Sequence, residues 1–314
     1  MKFAPARRPL VFLTSGRRPV TSSLARRQWI FAYSMLLPVF ALFVYIRIIP
    51  ILQGFWISFH SWDLINPVKP WVGLSNYSTL FGDSLFRTAL RNTTVFAFTT
   101  VAFSIPLSLA LAVAMARPRR FFSVYEALYF LPAVTPTVPV TVAWKWILDS
   151  QYGLLNGALK WIHIAPQPWL TDPNLAVVSV IMLSTWKIIG YNMIILLVGL
   201  RNIPVDYYDA AHCDGANAWQ RFRFVTLPLL MPVLLFVMVI TTINSYNVFT
   251  QVYVLASDVQ GAPGFLVRVL VYDMFEKGFR FSKMGLACSE AIVLFVIVLV
   301  LSFIQFRWLK DRTA

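Results

Sequence analysis

PVDYYDAAHCDGANAWQRFRFVTLP, residues 204–228, is the longest polar interruption between strongly apolar segments in the second half of the chain. Pro204 can open a helix, because the N–H it lacks would have no partner there anyway. Tyr207, Ala210, Ala211 and Asp214 follow the helical spacing i, i+3, i+4, i+7. Gly215 supplies a turn that a residue with a Cβ resists. A second short helix is expected from Asn217, with Trp219, Phe222 and Phe224 on its apolar parts and Gln220, Arg221 and Arg223 elsewhere. Pro228 marks the entry to the next apolar run. The stretch therefore reads as a helix, a turn and a helix at the mouth of a membrane. Spacing alone fits a plain interfacial connector equally well.

The runs on either side decide the fold class. A hydrocarbon layer about 30 Å thick needs roughly 20 apolar residues of helix. Six segments qualify, from about Trp29 to Gln53, Asn92 to Ala116, Tyr125 to Leu148, Leu175 to Leu200, Leu227 to Val254 and Leu286 to Phe306. The expected fold is an all-α integral membrane protein with six transmembrane helices and the 204–228 element between the fourth and fifth. Residues 1–28 form a basic tail, and residues 29–310 form the membrane domain. Pro132, Pro136 and Pro139 predict a kinked or locally unwound third span, although packing alone also accounts for them.

Charge sets the orientation. With the N-terminus in the cytoplasm, the inward segments carry 16 Lys and Arg and the longer outward loops carry 8. This is the positive-inside pattern. Both termini and the 204–228 element are expected on the cytoplasmic side. Residues 54–63 with Trp144, Trp146, Trp161 and Trp169 suit an aromatic belt at the outer interface.

Composition narrows the function. The chain has 314 residues, of which 58% are hydrophobic and 13% charged, about half the charged share of a soluble domain. The net charge of +14 is spread over span boundaries rather than gathered in one patch. It points to membrane lipid and away from nucleic acid. Cys213 and Cys288 lie in different kinds of segment, and no metal-binding spacing of Cys and His is present. A G-x-x-x-x-G-K-[ST] phosphate loop, a G-x-S-x-G elbow and an H-E-x-x-H pair are all missing. No set of residues argues for catalysis, and the chain has no phosphate loop of its own for ATP.

Polar residues inside spans are costly, which makes them candidates for function. Ser184, Lys187, Ile188 and Tyr191 share one face of the fourth span, and Thr241, Asn244, Ser245 and Val248 share one face of the fifth. Hydroxyls and amides at mid-depth match the hydroxyls of a sugar, with Tyr191 and Phe249 stacking on its apolar faces. Interhelical bonding across a packed interface is the competing reading. Lys187 lies too deep to reach the surface and needs water, a carboxylate or an anionic ligand; Glu290 is a candidate partner.

Tyr208, Asp209, Ala210, Ala211, Asp214, Gly215 and Ala216, followed by Trp219, Phe222 and Thr226 to Pro228, resemble the cytoplasmic E-A-A…G motif of permease subunits of binding-protein-dependent ABC importers. The chain is most similar to the carbohydrate-uptake branch that includes maltose and glycerol-3-phosphate importers. Val72 to Tyr77, Asn92 to Thr94, Leu131-Pro132 and Pro168 to Leu170 agree with it.

The resemblance implies that the 204–228 element is a coupling helix docking in a groove of a separate ATPase, through Tyr208, Asp209, Ala210, Ala211, Asp214, Gly215, Phe222 and Pro228. Asp209 stands where the family has Glu, one methylene longer. Gln260 to Pro263 replace a Gly-Gly-Pro that touches the binding protein in many relatives. The resemblance further implies a heterodimer with a second permease subunit, two ATPase subunits that bind ATP and Mg, an extracytoplasmic solute-binding protein, and a place in the bacterial inner membrane. It puts the sugar on the two faces named above. Lys187 suggests an acidic oligosaccharide or uronate-type sugar. A neutral oligosaccharide or a glycerol-phosphate is the alternative, and an ion-coupled secondary carrier is the rival mechanism.

Overall fold

The computed structural model describes residues 22–66, 68–116, 122–256 and 267–310. The tail before Ser22, the basic residues 117–121, Gln260 to Pro263 and the last four residues, all of which carry sequence-based expectations, lie outside the described residues. The chain divides into two units, Met1–Gln53 and Gly54–Ala314. Among the described residues the secondary structure is helical apart from one isolated bridge between His60 and Trp71.

In the first unit, α1 (Ser22–Phe43) leads through a π turn, Val44–Ile48, into α2 (Ile49–Ile57), which runs across the unit boundary. Its apolar side chains are exposed along its length, as suits contact with lipid. The helix starts earlier and ends later than the expected first span.

The second unit is a helical bundle. After α3 (Ser75–Gly82), Asp83 caps α4 (Ser84–Met115) by accepting from the Leu85 N–H at 2.9 Å. This cap moves the start of the second span eight residues ahead of its expected place at Asn92. With 32 residues α4 is about 48 Å long and outruns the hydrocarbon layer. Asp172 accepts from the N–H groups of Asn174 and Leu175 to start α8 (Pro173–Arg201), with Pro173 in the first turn. These two helices and α11 (Leu227–Tyr246) make the core. Ala112, Met193, Leu196, Leu197 and Leu230 are buried together where α4 and α8 end and α11 begins. Phe86, Ala89, Tyr246 and Leu294 are buried together at the other end of the bundle.

The third span is broken where its prolines predict, and more sharply than a kink. It is two helices, α5 (Phe122–Val134) and α6 (Thr137–Ile147), bent by 97° at the break. The 13 residues of α5 reach only about 20 Å, so α5 alone cannot cross the layer. A short helix, α7 (Leu154–Trp161), follows, stitched in place by the buried Asn156. Its amide accepts from Trp169 Nε1 at 2.9 Å and donates to the carbonyls of Ser150 and Gln167.

Two very short helices, α9 (Val205–Cys213) and α10 (Ala218–Arg221), join α8 to α11. The fifth span runs to Leu255, close to its expected end, but a turn after Tyr246 separates α11 from α12 (Thr250–Ala256) within it. Of the expected loop 255–284, residues 270–280 are helical: α13 (Leu270–Phe275) runs into a π turn, Glu276–Arg280, before α14 (Met284–Lys310) forms the last span. Among the described residues, five helices are long and apolar enough to span a membrane, and the bent pair makes a sixth when taken as one span.

At the end of the bundle where α4 and α14 begin, charges are buried in a connected collar. Arg268 lies against Asp273 at 2.6 Å and Glu276 at 2.9 Å. Lys277 Nζ meets Asp273 at 2.6 Å, Glu290 at 3.1 Å and Asp83 at 3.1 Å. Burial disfavours the Lys277 ammonium, yet the neighbouring Glu290 and Asp273 carboxylates outweigh it and hold its pKa above the usual 10.5. Partial burial works against the Asp83 carboxylate in the same way. The Leu85 N–H and Lys277 outweigh it and keep the pKa below the usual 3.8. Asn92 donates to the Arg268 carbonyl at 3.0 Å, and Thr93 Oγ1 accepts from the Leu270 N–H at 2.9 Å. Asn76 likewise donates to the carbonyls of Ser58 and His60.

Candidate functional site

A cavity of about 380 Å³ opens beside the midpoint of α8. Ser184, Lys187, Ile188 and Tyr191 enter it from α8, and Asn244 and Ser245 from α11. The turn after α11 adds Asn247, Val248 and Phe249, and α12 adds Thr250 and Gln251. The turn exists because α11 stops at Asn247, whose N–H bonds back to the Ile243 carbonyl. Eight of the nine residues expected to hold a substrate therefore face one space.

Thr241 is the ninth and is a correction. It is fully buried, accepts from the Asn192 amide at 3.0 Å, and does not line the cavity. Helical spacing places it one turn from Asn244, but the packing of α11 on α8 turns it into the interface.

Lys187 also differs from expectation. Glu290 is not its partner, since that carboxylate is held by Lys277 in the collar. Lys187 Nζ donates instead to the carbonyls of Pro132, at 3.0 Å, and Thr135, at 2.6 Å. The reason lies in the sequence of the break. In a continuous helix those carbonyls would accept from the N–H groups of residues 136 and 139. Both positions are proline and have no N–H to give. The Thr135 hydroxyl bonds back to the Pro132 carbonyl at 2.9 Å, and Lys187, from the neighbouring helix, adds a second donor there and supplies the donor to the Thr135 carbonyl.

The rest of α5 is aligned to receive it. Arg201 pairs with Glu126 near the start of α5. Between the two contacts the helices nearly touch at Gly190, where a Cβ would stand 1.8 Å from the Tyr129 carbonyl oxygen. Only glycine allows that approach.

Sequence reasoning missed the third wall. Phe96 and Thr100 of α4 and Ala133 of α5 also line the cavity. Buried hydroxyls recur along α4 at Thr93, Thr100, Ser104 and Ser108. That stripe was the available signal, masked by an otherwise apolar span. Ser108 donates to the Ile189 carbonyl at 2.9 Å, which fixes α4 against α8. The hydroxyls of Thr100, Ser104, Ser184 and Thr185 are buried without a partner.

The second candidate region is the pair α9–α10. The α9 helix ends in a Schellman motif: the Gly215 N–H bonds the His212 carbonyl and the Ala216 N–H bonds the Ala211 carbonyl. Gly215 has φ +77°, a conformation in which a Cβ is strained. Asn217 and Gln220 then form a reciprocal capping box that starts α10. Tyr208 and Thr226 are in hydrogen-bond contact at 3.1 Å, tying α9 to the entry of α11. Asp209, Ala210, Asp214 and Pro228 are exposed, Ala211 and Phe222 are half-buried, and Trp219 and Phe224 project outward. The motif residues thus form a well-ordered, outward-facing knob.

Residues 104–313 match the family described as binding-protein-dependent transport system inner membrane component. Among related proteins, the trehalose/maltose transport system permease protein MalF of Thermococcus litoralis is 31% identical, covering 92% of this chain and 96% of its own. The lactose transport system permease protein LacF of Rhizobium radiobacter is 32% identical, with coverage of 93% and 98%. The arabinooligosaccharides transport system permease protein AraP of Bacillus subtilis is 30% identical, with coverage of 93% and 91%. Among solved structures, a bacterial ABC transporter involved in the import of the acidic polysaccharide alginate shares the fold. It has a TM-score of 0.80 at 23% identity, covering 93% of this chain and 99% of that one.

Proposed function

Because the chain belongs to the family of binding-protein-dependent transport system inner membrane components, we propose that it is the membrane-spanning subunit of an ATP-driven importer of oligosaccharides. The cavity carries this reading. It sits at mid-span and presents hydroxyls, amides and aromatic rings, the groups that hydrogen-bond and stack on sugars. In this reading a solute-binding protein delivers the sugar, and a second permease subunit completes the pathway. The α9–α10 knob faces the cytoplasm, as do both termini, and docks in one of two ATPase subunits that hold ATP and Mg. Trp219 and Phe224, exposed by 68% and 72%, give the knob apolar area to bury there.

We read the substrate as acidic. Among the described residues Lys187 is the one charged member of the cavity lining, and two carbonyls leave one of its three N–H bonds for a carboxylate. A neutral oligosaccharide is the second reading, favoured by the structural task those same carbonyls already give Lys187. Uptake into vesicles holding the full complex decides between them. Lys187→Met is expected to lower uptake of an alginate trisaccharide at least tenfold more than uptake of maltotriose. An equal effect on both would sink the acidic reading. Uptake that persists without the ATPase, or that stops when ion gradients are collapsed, would favour a secondary carrier.

A further inference from the structure

We infer that Thr100 of α4 is a substrate-reading residue, so that the second span supplies a wall of the binding site that the fourth- and fifth-span faces leave open. The inference rests on the oligosaccharide reading above and deepens it. Thr100 is 2% exposed, lines the cavity, and its hydroxyl has no hydrogen-bond partner. Thr88, Thr93 and Thr94 on the same helix instead bond back to a carbonyl one turn earlier. Ser184, facing the same space from α8, has an unpartnered hydroxyl as well.

A buried hydroxyl without a partner is costly to the fold, so a hydrophobic residue of the same shape would serve it better. Valine is that residue. The hydroxyl makes physical sense where something absent from the free protein completes it, and a sugar hydroxyl, both donor and acceptor, does so. Phe96, one turn before Thr100 on the same face of α4, adds an aromatic surface beside it. The chemical class this wall takes is a pyranose or furanose ring edge carrying free hydroxyls.

Ser104 provides an internal control. It belongs to the same hydroxyl stripe, is fully buried and equally unpartnered, but does not line the cavity. Thr100→Val and Ser104→Ala would be compared in the assembled complex in proteoliposomes with its binding protein and ATP. The probes are maltose, lactose, an arabinotriose and an alginate trisaccharide. Thr100→Val is expected to raise KM for the transported probe by about tenfold, the value of one hydrogen bond, with the maximal rate kept and the melting temperature kept or raised. Ser104→Ala is expected to leave KM unchanged. An unchanged KM in Thr100→Val overturns the inference. So does an equal KM rise in both variants, or a Thr100→Val defect that appears only as a lowered melting temperature. If the wild-type complex takes up none of the probes, the proposed function fails first and the inference falls with it. A transported probe with an indifferent Thr100 refutes the inference alone.

Discussion

The collar and the cavity handle polar groups in opposite ways. In the collar, Arg268, Asp273, Glu276, Lys277 and Glu290 are almost entirely buried, and each is paired with an opposite charge. Eight residues up the α4 helix from the collar's Asn92, the cavity keeps the Thr100 hydroxyl without a partner. Matched polar groups lock elements together, since removing one partner strands the others. An unmatched group holds nothing together, and where it also faces the cavity, as Thr100 does and Ser104 does not, it is open to a ligand.

The strongest way to break this contrast is Lys277→Met. It strands the carboxylates of Glu290 and Asp83 and leaves Asp273 to Arg268 alone. A loss of about 3–5 kcal/mol is expected, read from unfolding of the purified protein in detergent. A variant that unfolds like the wild type would show that the collar is not framework.

A smaller effect sharpens the comparison at the one place where the cavity itself is framework. If Lys187 replaces the donors that Pro136 and Pro139 lack, the three positions must couple. Lys187→Met is expected to destabilise the wild type more than it destabilises a Pro136→Ala/Pro139→Ala background, by about 0.5–3 kcal/mol. Equal losses in both backgrounds would separate the lysine from the prolines.

The smallest effect lies at the edge of the collar. Asp83 is partly exposed, so Asp83→Asn is expected to cost no more than about 1 kcal/mol at neutral pH. Its carboxyl is held below the usual 3.8, so the stabilisation is complete above that pH and fades as pH falls through the folded-state value. The gap between wild type and variant should therefore close in acid, below 3.8, in a pH series of melting temperatures. A gap that widens there would contradict the pairing.

Length and apolarity made the spans legible, because lipid imposes both. The α9–α10 knob was legible because Gly215 and Asn217 encode their turns locally. The collar was not. A stretch with Arg268, Asp273, Glu276, Lys277 and Arg280 has the composition of a solvated loop, and only the fold brings Asp83 and Glu290 to it. Thr241 had the right spacing but the wrong rotation, since helical period fixes a face and not what that face meets. Pro136 and Pro139 announced a break, whereas its angle and the lysine that completes it depend on a helix some fifty residues away.

That separation has a consequence for how the protein enters the bilayer. The chain is made from its N-terminus, so the third span emerges with the Thr135 carbonyl bare, and the Pro132 carbonyl held only by the Thr135 hydroxyl, before Lys187 exists. Hydrocarbon offers the bare carbonyl no donor, and leaving it unpaired there costs several kcal/mol. The third span therefore has no settled place in lipid until the fourth arrives, and the two are integrated as a pair during biogenesis.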